Sequence, residues 1–165
     1  MWVGIGFGQG LTAALLGQAL QQTLQQASCW AALLEGARES GPESRPEKAI
    51  AGVASLDRKA QAPELWQLCH HYQWPLLHYS ATQLATVAVP HPSRQVAQAI
   101  GTASVAEAAA LLAARHSGQP EAILWVSKQV IRFPAASVTI ALAGPPAYPG
   151  FVCATSLERS PAIRA

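Results

Sequence analysis

The stretch "IGTASVAEAAALLAA", Ile100 to Ala114, sets Gly101, Thr102, Ser104 and Glu107 directly ahead of an alanine–leucine run. A serine followed three residues later by glutamate is the capping-box pattern. The hydroxyl can accept the N–H of Glu107, and the carboxylate can accept the N–H of Ser104. This pairing is favoured over a nucleophile–base role, because no histidine or lysine stands nearby in sequence to activate the serine. A capped helix start still presents free N–H groups and a partial positive charge. Contact with an anion through Gly101, Thr102 and the following backbone is therefore expected ahead of covalent catalysis.

A second turn of this kind sits at the amino end. Gly4, Gly6, Gly8 and Gly10 follow a short apolar start and precede Thr12. The spacing is not G-x-G-x-x-G, since Gln9 occupies the third glycine position, so a dinucleotide site is weakly supported. Two readings stay open: glycines for a tight turn and close helix packing, or an anion-binding loop. Lys59, in "ASLDRKA", and Lys128, closing "LWVSK", each follow an expected strand. Surface lysines are usually only solvated, but two beside glycine turns could pair with ligand carboxylates. His70 and His71 are adjacent on an expected helix and face different directions, while His78, His91 and His116 are isolated, so no metal site is expected.

The elements that must position these groups read from periodicity. A buried strand spans Trp2 to Gly8, and an amphipathic helix runs from Leu11 to about Ala27. The polar stretch from Glu35 to Lys48 is a loop. A second strand covers Ala49 to Ser55, a helix covers Pro63 to Tyr72, and a third strand covers Trp74 to Ser80. Ser80 opens "SATQL", another capping box, and "SRQVAQAIG" reads as a helix ending at Gly101. Ala122 to Lys128 and Ser137 to Ala143 are β-branched-rich and close the series. The alternation predicts a three-layer α/β/α domain with a mixed, mostly parallel central sheet. The expected domain is 1–143, followed by a proline-rich, flexible tail at 144–165.

Composition sets the outer bounds. The chain has 165 residues, half of them hydrophobic, which is enough for a full core. Charged residues make up only 12% and the net charge is +2, with no basic stripe, so nucleic acid is not an expected partner. Three widely spaced cysteines without a C-x-x-C fit neither a zinc ribbon nor a disulfide framework, and point to a reducing compartment. No apolar run reaches membrane-spanning length and the start lacks a basic signal region. A cytoplasmic, soluble protein is expected.

In order, "VGIGFGQG", "AGVASLDRKA", "PSRQVAQAIGTASVAEAAALLA", a lysine ending a strand and "SVTIALA" resemble the CobE/CbiG C-terminal domain family of cobalamin-biosynthesis proteins, over residues 2 to 143. With no N-terminal domain ahead of these segments, the stand-alone CobE type is expected. The family's first glycine loop often continues with a cysteine and two arginines, whereas Phe7, Gly8 and Gln9 stand here. Positions matching the family pattern are Gly4, Gly6, Gly10, Ser55, Lys59, Ser93, Gly101, Thr102, Ser104, Glu107 and Lys128. All but Ser93 are taken as candidate ligand contacts. The resemblance implies a role in corrin-ring assembly, with a precorrin or other corrinoid intermediate as the bound partner and no resident cofactor. Alternatives are an enzyme assisting lactone opening or ring contraction, with Ser104, Thr102 or Lys59 assisting, and a structural partner of another cobalamin-pathway enzyme such as a precorrin methyltransferase.

Overall fold

The computed structural model describes residues 1–26, 49–59, 61–93, 97–98, 101–102 and 104–146. Strand β1 (Trp2–Phe7) leads through α1 (Ala13–Gln26) to β2 (Gly52–Leu56), which ends in a single 3₁₀ turn at Asp57–Lys59. Helix α2 (Pro63–Tyr72) connects to β3 (Leu76–Tyr79), and the short α3 (Ala81–Ala85) follows. Helix α4 (Val105–His116) then leads into the hairpin β4 (Ile123–Arg132) and β5 (Ser137–Gly144).

The sheet order is β3-β2-β1-β5-β4. β1, β2 and β3 pair in parallel, while β5 lies antiparallel to both β1 and β4. Hence β4 runs with β1, and only β5 runs the other way, as the mixed and mostly parallel sheet predicts.

Side chains alternate across the sheet, and the two faces differ in size. Val3, Ile5, Val53, Val138, Ile140 and Leu142 point to one face, where they meet Leu16, Leu20 and Leu24 of α1 and Leu65 and Leu68 of α2. Trp2, Ala54, Ala141 and Ala143 point to the other, against α4. The periodicity of α1 explains its seating: Leu16, Ala19, Leu20, Thr23 and Leu24 are buried, whereas Gln18, Gln21, Gln22 and Gln25 are exposed. Thr12 accepts the N–H of Leu15 at 3.3 Å and so starts the helix.

Helix α4 is buried almost all round from Val105 to Leu111, because its surface is alanine and the strand beneath it is glycine. A Cβ on Gly4 would stand 1.8 Å from the carbonyl oxygen of Ala106. The backbone of α4 thus rests directly on β1, closer than any side chain would allow. Several boundaries differ from the sequence reading: β2 begins at Gly52 instead of Ala49 and β3 at Leu76 instead of Trp74. β4 continues four residues past Lys128, so that lysine lies inside a strand and not at its end. The helix read before Gly101 falls largely outside the described residues, although Gly101 has the left-handed φ of 83° that suits a helix end. The tail beyond residue 146 also lies outside them.

Candidate functional site at the carboxyl end of the central strand

The parallel ladder between β1 and β2 runs from Trp2–Gly52 to Gly4–Ala54. One residue further on, Ser55 spans the two strands by donating its hydroxyl to the carbonyl of Ile5 at 2.8 Å. The 3₁₀ turn after β2 then carries Lys59 over the end of β1, with Nζ 4.4 Å from the centre of the Phe7 ring. That cation–π contact holds a half-buried ammonium at the sheet edge, where a ligand can meet it. On the opposite face, Gly6 lies under Val105, the first residue of α4, whose side chain a Cβ at Gly6 would meet at 3.4 Å. The amino end of α4 therefore lies over the last residues of β1.

Of the sequence candidates, Gly6 and Lys59 lie at the end of β1 on its two faces, and Ser104 directly precedes the Val105 that covers Gly6. Gly4 and Ser55 are buried inside the scaffold, so they shape the edge from beneath. Gly10 has a φ of 81° and turns the loop after β1 toward the β4–β5 hairpin, where a Cβ would stand 2.9 Å from the Ala135 carbonyl. Gly101 is exposed in open space.

The capping box expected at Ser104 is not formed. Ser104 occupies the N-cap position with extended backbone but places no side-chain bond on the first turn. Glu107 is fully buried and turns elsewhere: its Oε1 accepts the backbone N–H of Lys128 at 3.1 Å and meets His91 Nδ1 at 3.1 Å. Pairing of β4 with β5 slips between Val126 and Gln129, and Lys128 lies within that irregularity. A donor displaced from a regular ladder needs another acceptor, and Glu107 supplies it. Lys128 Nζ in turn donates to the His91 carbonyl at 2.5 Å. The lysine thus fixes the loop before α4, and its ammonium is already engaged. Two polar atoms here stay buried without a partner, Thr102 Oγ1 and Glu107 Oε2.

His91, isolated in the sequence reading, pairs with Glu107 in the fold; it stands 16 positions before that glutamate, so no local pattern announces the pairing. Elsewhere, Tyr79 shares a 3.2 Å hydrogen bond with His116 Nδ1, and burial raises the phenol's pKa. Burial pushes the Cys69 thiol up to about 11, which leaves little thiolate for nucleophilic chemistry. A shallow depression on α2 is lined by Trp66, Gln67, His70 and His71.

The chain is a mixed, mostly parallel α/β sheet, the class of fold in which ligands as a rule bind beyond the carboxyl ends of the strands. Residues 1–143 match the family model for the cobalamin synthesis G C-terminus, and the chain belongs to this family of cobalamin-biosynthesis proteins. It is similar to the crystal structure of CobE, a protein from the cobalamin (vitamin B12) biosynthetic pathway. The two are 27% identical with a TM-score of 0.65, over 85% of this chain and 90% of that one. The cobalamin biosynthesis protein chiG from Agrobacterium tumefaciens str. C58 is 23% identical with a TM-score of 0.47, over 86% of this chain and 96% of that one. No curated protein matches. Among the described residues no helix is long and apolar enough to cross a membrane.

Proposed function

We propose that the chain binds a carboxylate-fringed tetrapyrrole, a precorrin or related corrinoid, at the carboxyl end of β1. The observations that support this reading are the α4 amino end over Gly6 on one face of the sheet and the Lys59 ammonium over Phe7 on the other, both at the carboxyl end of β1. From the two faces they contribute a helix dipole and one cation toward the acetate and propionate groups of such a ring. Membership of a cobalamin-biosynthesis family supports the ligand class.

Titration of the protein with hydrogenobyrinic acid, followed by absorbance, tests the reading. Saturable spectral change is expected, with Lys59→Ala weakening affinity about tenfold, the scale of one charge-assisted contact. An unchanged spectrum, or identical binding by wild type and Lys59→Ala, contradicts it. The acyl-transfer alternative with Ser104 as nucleophile has less support, because no base among the described residues hydrogen-bonds its hydroxyl.

A further inference from the structure

We infer that His91 and Glu107 form a proton-transfer dyad acting on a carbon-bound proton of the tetrapyrrole, with His91 Nε2 as the acid–base group and Glu107 as its positioning residue. The inference rests on the reading above for the ligand class. A carboxylate accepts hydrogen bonds, so Glu107 Oε1 at 3.1 Å places the imidazole proton on Nδ1 and leaves the lone pair on Nε2. The His91 side chain is 52% exposed while Glu107 is fully buried. One partner is open to a ligand and the other is held rigidly in the fold, the division of labour that a base and its orienting carboxylate require.

The partner count supports the same conclusion. A glutamate that serves structure alone would have both oxygens satisfied, because a buried, unpartnered carboxylate oxygen is costly. Here Oε2 has no partner, and neither does Thr102 Oγ1, five residues earlier on the same helix start. Among the described residues the charged groups around His91 are Glu107 from α4 and Lys128 from β4, whose ammonium holds the His91 carbonyl.

A single acid–base pair suffices for a prototropic shift. Protonated Nε2 delivers a proton to a ring-bridging carbon, whose new C–H bond takes its electron pair from the conjugated system and leaves a delocalised cation. The neutral imidazole then removes a proton from that carbon or another carbon of the system, and the pair returns to the ring. Atoms and electrons balance, and no oxidant, reductant or further reactant enters.

The test is deuterium exchange. Wild type, His91→Gln and Glu107→Gln are each incubated with hydrogenobyrinic acid in D2O. Loss of the meso C–H signal is followed by NMR, beside an absorbance titration. Wild type is expected to accelerate exchange roughly 10²-fold over buffer. His91→Gln should return to the buffer rate with affinity within about threefold. Glu107→Gln should slow exchange roughly tenfold while still binding. Saturable binding without accelerated exchange, or acceleration that survives His91→Gln, overturns the dyad alone. Absence of any binding overturns the ligand reading and the dyad with it.

Discussion

Two helices of this molecule begin with the same local pattern and resolve it in opposite ways. At α3, Ser80 accepts the N–H of Gln83 at 3.2 Å and the Gln83 side chain accepts the N–H of Ser80 at 2.9 Å, a complete capping box. At α4, Ser104 makes no such bond and Glu107 is spent on Lys128 and His91. The difference is context. Gln83 is exposed, and the helix start beside it is the nearest group to satisfy. Glu107 is buried against an irregular strand whose displaced N–H competes for the same oxygen. α3 is started by its own residues, whereas α4 is held by the sheet beneath it.

This contrast can be broken at several points, and urea or thermal unfolding reads each one. Gly4→Ala should have the largest effect, about 3 kcal/mol, because the new methyl meets the Ala106 carbonyl and α4 must lift. Glu107→Ala should cost about 2 kcal/mol by leaving the Lys128 N–H without its acceptor. Ser80→Ala should cost about 1 kcal/mol, the usual worth of a cap. Ser104→Ala should change stability by less than about 0.5 kcal/mol, since no cap bond is lost. Equal costs at Ser80 and Ser104 would show that the two helix starts are built alike after all.

The same contrast explains what was legible in the sequence. Periodicity located β1, α1, α2 and β5 closely, since Leu16, Leu20 and Leu24 or Val138, Ile140 and Leu142 need only their own spacing to be read. Pro63 marked the first residue of α2, and Ser80 marked the start of α3. Glu107 could not be read in this way. Its partners come from 16 positions earlier and 21 later, and tertiary contact overrode a local motif. Lys128 was misplaced for a related reason: an irregular strand that continues past a polar residue looks, in sequence, like a strand that has ended. The glycines were legible as either packing or binding, and the fold shows packing at two of them, with Gly4 under Ala106 and Gly6 under Val105 of α4.

Amide chemical-shift mapping with hydrogenobyrinic acid tests the central claim most directly. The site described here predicts saturable shifts clustered on Gly6, Phe7, Lys59, Thr102 and Val105. Shifts confined to the Trp66, His70 and His71 face of α2, with the end of β1 silent, would contradict it.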